Sequence, residues 1–163
     1  MKIITFTAIV TIISFFQPYL LSQIPNQTET SESEKLLVEK AIHNCIGWAK
    51  NKDINLLYNT ILNDSTFLEV HPNDNVVLGF EEFKKAEKFW MSPDFKAVRY
   101  EIRDLKINFS KSGNVAWFFC MLDDINEWKG QPANWENTRW TGVLEKREGK
   151  WLLVQQHFSF ASK

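Results

Sequence analysis

Asn137-Thr138-Arg139-Trp140-Thr141-Gly142-Val143-Leu144-Glu145-Lys146-Arg147 runs through Glu148-Gly149-Lys150 into Trp151-Leu152-Leu153-Val154-Gln155-Gln156-His157-Phe158-Ser159-Phe160. β-branched and aromatic residues flank a turn that holds a glycine, which is the pattern of two antiparallel strands joined by a tight reversal. Working back, Phe95 to Phe109 also follows a period of two, and the positions of Tyr100, Ile102, Leu105, Ile107 and Phe109 predict a bulge partway along. Ser110-Lys111-Ser112-Gly113-Asn114 reads as a hairpin loop, and Val115 to Asp123 as a central strand apolar on both faces. Asn126 to Asn134, with Gly130 and Pro132, reads as a polar loop.

Ahead of these strands the period is helical. Ser33 is placed to cap a helix from Glu34, whose Leu36, Leu37, Ala41, Ile42, Cys45, Ile46 and Trp48 fall on one face. Asn51-Lys52-Asp53 breaks it, and Ile54 to Leu62 gives a second, short helix. Thr66 to His71 reads as a strand stopped by Pro72, with Val76-Val77-Leu78 pairing back on it. Gly79 precedes a third helix, Phe80 to Met91. Helices and strands segregated along the chain imply α+β: a curved antiparallel sheet of four long strands plus a short N-terminal hairpin, wrapped on three helices.

The N-terminus adds a compartment. Met1-Lys2 precedes an uncharged, mostly apolar run from Ile3 to Phe16, then Pro18 and Leu20-Leu21-Ser22. One basic residue, an apolar run and a small residue before polar sequence describe a signal peptide over 1–22, cut near Ser22, and a secreted or periplasmic product. An uncleaved anchor over Ile3 to Leu21 is the alternative, although threonines, Ser14, Gln17 and Pro18 interrupt it. Residues 23–33 read as a flexible leader and 34–163 as a single domain. The net charge is −1 and the basic residues are interspersed with acids, so no phosphate-tracking patch forms and nucleic acid is not an expected partner. No stable membrane association is expected after cleavage. Cys45 and Cys120 could pair in an exported protein, or remain buried thiols.

Thr138-Arg139, the turn Arg147-Glu148-Gly149-Lys150-Trp151 and the ending Gln155-Gln156-His157-Phe158-Ser159 resemble the C-terminal signature of the SnoaL-like branch of the nuclear transport factor 2-like superfamily. Asp64-Ser65-Thr66-Phe67 before Gly79, and Val115-Ala116-Trp117 after Gly113-Asn114, fit the same pattern in order. The resemblance implies a cone with a pocket at one end. It fixes no reaction, because isomerases, cyclases, dehydratases and noncatalytic binding or assembly domains share that cone.

By similarity to the calcium/calmodulin-dependent kinase association domain, Phe119, Arg139 and Phe158 are expected to face the pocket. Period two then adds Trp117, Met121, Thr141 and Gln156, unless these side chains only fill the core. Arg139 would anchor a small apolar or weakly acidic ligand, or else pair with Glu136 or Asp123. Glu69 and His71 share a strand face with Phe67 and are the candidate proton movers; the alternative is an exposed edge strand. Tyr58 and Asp123 are the nearest guesses for an oxyanion pair of the steroid-isomerase kind. His157 reads as structural and His43 as solvent-facing. No close-set His or Cys pair, phosphate loop or nucleophile elbow occurs, so neither a metal nor a cofactor is implied. Three functions remain open: a small-molecule binder, an acid–base isomerase, cyclase or dehydratase using Glu69 or His71, and an assembly module. A homodimer through the outer sheet face is expected, since strands apolar on both faces leave a surface to cover.

Overall fold

A computed structural model describes residues 27–161. The signal-peptide reading of 1–22 lies outside them. Helix α1 spans Gln27–Gly47, so it begins well before Glu34, and the second half of the expected leader is helical. Glu34 lies within α1, where its carboxylate takes Nζ of Lys146 at 2.7 Å and the indole N–H of Trp151 at 2.8 Å. Those bonds tie the helix to the C-terminal hairpin. A 3-10 turn, Trp48–Asn51, follows and closes on Lys52 in the left-handed region. Helix α2, Ile54–Tyr58, starts on the carboxylate of Asp53, which accepts from the backbone N–H of Leu56.

Strands β1 (Leu68–Val70) and β2 (Val76–Leu78) form the expected hairpin. Gly79 has φ +82, and a Cβ there would meet the backbone of Ser65 at 3.3 Å, so only glycine fits this corner. The third helix is broken at Lys85-Ala86 into α3 (Phe80–Lys84) and α4 (Glu87–Trp90). Four long strands follow: β3 (Phe95–Phe109), β4 (Val115–Trp128), β6 (Trp135–Arg147) and β7 (Lys150–Ser159). The two-residue β5 (Gln131–Pro132) pairs with the end of β4. The expected loop over Asn126 to Asn134 is therefore shorter, because β4 runs on to Trp128. Glu148 and Gly149, both at positive φ, make the tight reversal between β6 and β7.

The sheet order is β2-β1-β7-β6-β4-β3. Neighbours are antiparallel except β1, which runs parallel to β7 and brings the N-terminal hairpin onto the C-terminal strand. The sheet is thus mixed rather than wholly antiparallel. It curls at bulges. β3 slips register between Arg103 and Lys106, with Asp104 at φ +55. β6 carries an extra residue opposite Leu122–Asp124, with Asn137 at φ +52.

The hollow of the curl is filled from α1 by Val38, Ile42 and Cys45 against Phe118, Leu122, Trp140, Leu144 and Leu153. A second apolar cluster, Trp48, Leu57, Ile61, Phe67, Phe80 and Phe83, seats the short helices beside β1. Cys45 and Cys120 are buried free thiols, not a bridge. Among the described residues no helix is long and apolar enough to cross a membrane.

Candidate functional site

A cavity of about 550 Å³ opens at the end of the curl. β1 supplies Glu69, His71 follows directly on it, and β7 supplies Gln156 and Phe158; the end of β4 supplies Leu122, Asp124 and Asn126. Trp48, Phe83, Phe89, Trp90, Phe95 and Trp135 add six aromatic rings to the wall. That volume suits a small organic molecule, and apolar walls with a few convergent polar groups are the usual form of such a site.

Glu69 is 4% exposed. Its Oε1 lies 2.7 Å from Nε2 of His71, and its Oε2 accepts from Nε2 of Gln156 at 2.7 Å. Gln156 accepts in turn, at 3.1 Å, from the indole N–H of Trp140. β1 lies in register with β7, Glu69 opposite Gln156, and that pairing aligns the chain of bonds. The His71 ring stands edge-on to Trp135, 5.8 Å between centroids, and is also near Phe158. β1 is therefore not the exposed polar edge that was the alternative reading.

Two further acids line the wall: Glu82, exposed and paired with Lys85, and Asp124. Burial raises the Asp124 carboxyl above the ordinary carboxylate range, and a hydrogen bond from the Asn126 side chain offsets only part of the effect. It is thereby pushed toward the neutral acid, which can donate a hydrogen bond. Asn126 is 6% exposed and keeps a side-chain oxygen without a partner. Among the described residues no cluster of His, Cys, Asp and Glu could hold a metal.

Four expected residues meet at the cavity: Glu69, His71, Gln156 and Phe158. The others do not. Trp117 is 46% and Phe119 37% exposed, on the convex face of the sheet. Met121 and Thr141 share that face, since Met121 pairs with Arg139 and Phe119 with Thr141. Arg139 points outward too, and its guanidinium donates to the backbone oxygen of Phe160. It therefore anchors nothing in the cavity, and it does not pair with Glu136 or Asp123. Tyr58 donates to Glu87 at 2.7 Å and packs edge-on against Phe80, away from the cavity. Asp123 accepts from the backbone N–H of Asn137 at 2.7 Å and pairs with Arg103, so it braces the β6 bulge instead of serving an oxyanion. Those same bonds hold its carboxyl below the ordinary range. His157 is exposed. His43 is half-buried, its Nδ1 3.2 Å from the Tyr100 hydroxyl, rather than solvent-facing.

The misplaced residues share one cause. Paired residues in an antiparallel ladder lie on the same face, and Phe158 pairs with Trp140, not with Arg139. β4 and β6 are therefore one residue out of phase with the expected set: Phe118, Cys120, Leu122 and Asp124 face in. The signal that could have found Asp124 is its parity with those buried neighbours. Trp135 is harder, because the bulge at Asn137 reverses the alternation between it and Thr138.

No curated protein is significantly similar to this chain. Solved structures are. A Streptomyces avermitilis protein of the nuclear transport factor 2-like family, described as a candidate dehydratase, superposes with a TM-score of 0.70 at 16% identity, covering 82% of this chain and 99% of its own. A candidate calcium/calmodulin-dependent kinase II association domain from Exiguobacterium sibiricum gives 0.65 at 8% identity, with coverages of 80% and 95%. A ketosteroid isomerase-like protein from Erwinia carotovora atroseptica gives 0.60 at 18%, with 80% and 98%. At such identities the likeness is one of fold, a cone shared across the nuclear transport factor 2-like superfamily. The model of the SnoaL-like domain matches residues 38–163, from the buried Val38 of α1 onward, and on that match this chain belongs to the SnoaL-like domain family.

Proposed function

We propose that the cavity takes a small, flat, mostly apolar molecule carrying a carbonyl or hydroxyl group, and that Glu69 and His71 move a proton on it. The observation that carries this is the 2.7 Å contact of His71 with a buried carboxylate inside a cavity of about 550 Å³. Imidazole takes a proton near neutral pH, and a carboxylate at its other nitrogen orients the ring and stabilises the cation. Asp124, held toward its neutral form, suits the complementary task of donating to a carbonyl oxygen as charge builds there. Proton abstraction beside a carbonyl, with isomerisation or loss of water after it, is the reaction class this supports. The candidate dehydratase and the ketosteroid isomerase-like protein among the structural neighbours agree with it.

The test is exchange of the protons α to the carbonyl in a panel of cyclic ketones and enones in deuterated buffer, followed by NMR. His71→Gln should slow catalysed exchange by about 100-fold or more, the usual weight of a general base. A panel that binds, as seen by quenching of tryptophan fluorescence, but exchanges no faster than in buffer would leave a binder in place of an enzyme.

Two proposals concern the rest of the chain. Export with removal of residues 1–22 is supported by the leader sequence, and N-terminal mass determination on protein from its host tests it. Dimerisation through the convex face is supported by the half-exposed Trp117 and Phe119, and Trp117→Lys should then yield monomers in sedimentation.

A further inference from the structure

The hydrogen bonds behind the cavity have a direction, and it starts at Trp140. An indole N–H donates and never accepts. Trp140 is fully buried and gives that hydrogen to Oε1 of Gln156. Gln156 is 5% exposed, so its amide cannot turn over without setting N–H against N–H in a dry site. Its Nε2 therefore presents a hydrogen to Oε2 of Glu69. The second oxygen of that carboxylate faces Nε2 of His71, and a carboxylate only accepts. The hydrogen of the neutral ring then sits on Nε2, and Nδ1 keeps the lone pair.

We propose that Glu69 selects Nδ1 of His71 as the proton acceptor of the site, and that Trp140 and Gln156 are positioning residues: they fix the direction of the hydrogen bond that reaches the carboxylate from behind and so hold its other oxygen on Nε2. Trp140 does this without a place in the cavity wall. The catalytic meaning rests on the proton-transfer reading above. The polarity itself does not, and it can be read with no substrate present.

The experiment is Glu69→Gln, which keeps the shape and removes the symmetry of the carboxylate. Gln156 still presents its N–H, so the new amide turns its oxygen toward Gln156 and its NH₂ toward His71. Nε2 must then accept, and the ring hydrogen moves to Nδ1. Long-range ¹H–¹⁵N spectra of the labelled protein, recorded above the imidazole titration, identify the bare nitrogen. His71→Gln picks out the signals of this ring among the three histidines.

Wild type should show a bare Nδ1, and Glu69→Gln a bare Nε2, the tautomer ratio inverting by about tenfold or more for one buried hydrogen bond. Trp140→Phe added to Glu69→Gln removes the donor that sets the direction, and both tautomers should then appear. A ring that keeps its hydrogen on Nε2 in Glu69→Gln overturns the proposal. So does a fully inverted ring that ignores Trp140→Phe. Should the variants fail to fold, the wild-type spectrum still decides: a neutral ring protonated at Nδ1 is incompatible with the chain. Inversion as expected, with ketone exchange untouched by His71→Gln, would keep the polarity and remove the enzyme. Failure to invert, with exchange lost in His71→Gln, would do the reverse.

Discussion

Gly142→Ala probes the most crowded of the described glycines. Gly142 lies mid-β6, opposite Phe118 on one side and Gln156 on the other. A Cβ there would sit 2.6 Å from Cε1 and 3.0 Å from Cζ of Phe118, and 2.8 Å from the carbonyl oxygen of Gln155. Ordinary carbon contacts lie at about 3.5–4.0 Å. Neither neighbour gives way cheaply. Phe118 is 2% exposed and stands edge-on to Trp140 at 4.9 Å. The Gln155 oxygen is backbone, beside the point where β6 and β7 slip register. Overpacking of this kind costs about 1–3 kcal/mol, and the lower chain entropy of alanine returns about 0.5–1 kcal/mol. Contacts this short put the cost in the upper part of that range, about 2–3 kcal/mol, so the net loss is about 1–2.5 kcal/mol, a fall in Tm of roughly 2–10 °C for a chain of this size. Calorimetry and urea melts read it. Phe118→Leu relieves the ring contact, so the double variant should lose at least about 0.5 kcal/mol less than the sum of the singles. An unchanged or higher Tm in Gly142→Ala would refute the close approach, and strict additivity would place the clash on the Gln155 carbonyl alone.

Asp124→Asn should stabilise the fold at pH 7. The native carboxyl titrates above its unfolded value, so between the two the native state holds more protons and wild-type stability falls as pH rises. The gain from Asp124→Asn should therefore vanish below the ordinary carboxylate pKa and grow to a plateau above the native one; a gain independent of pH in melts from pH 3 to 8 would contradict the burial argument. Glu34→Gln should cost about 1 kcal/mol at pH 7 by weakening the bonds from Lys146 and Trp151. Here the native carboxyl is lowered, first by the Lys146 hydrogen bond, so the contribution is present above the ordinary carboxylate pKa and fades as pH drops through the lowered value. A difference between Glu34→Gln and wild type that persists at pH 2 would show that packing is responsible. Burial pushes the Cys120 thiol up to about 12 and raises Cys45 as well. A thiol reagent at pH 8 should thus find neither cysteine in the native protein and both in denaturant, and a fast native reaction would mean the helix–sheet interface opens readily.

The order of elements was legible in the sequence because each depends on local pattern: the Gly149 reversal, the Pro72 stop and the Gly79 corner all stand where the residues put them. Glu69 and His71 were legible for the same reason, since Phe67 is plainly a core residue and period two carries its face to both. Parity in β4 was not. Ala116, Phe118, Cys120 and Leu122 alternate with Trp117, Phe119 and Met121, and both sets are apolar, so burial pattern could not say which faced in. The kinship supplied the wrong phase for β4 and β6 while it served β7. The start of α1 was hidden too, because its first turns are polar and carry no apolar stripe to read.

The bulge at Asn137 explains how one strand serves two purposes. Without an extra residue, β6 would turn inward either Trp135 or the pair Thr138 and Trp140, but not all three on the same concave side. With it, Trp140 heads the hydrogen-bond chain in the core while Trp135 stands against His71 at the mouth. A left-handed asparagine costs about 1 kcal/mol or more in backbone strain, so something must hold it. The Asp123 carboxylate does, accepting the Asn137 N–H, while Arg103 spans Asp123 and the Asn137 side chain from β3. The three residues come from three adjacent strands, where the bulges of β3 and β6 lie. Polar residues on the outer face of the cone thus set the geometry of an apolar inner one, and Asp123 and Asp124, adjacent in sequence, divide the work: one braces the bend from outside, and the other meets whatever the bend encloses.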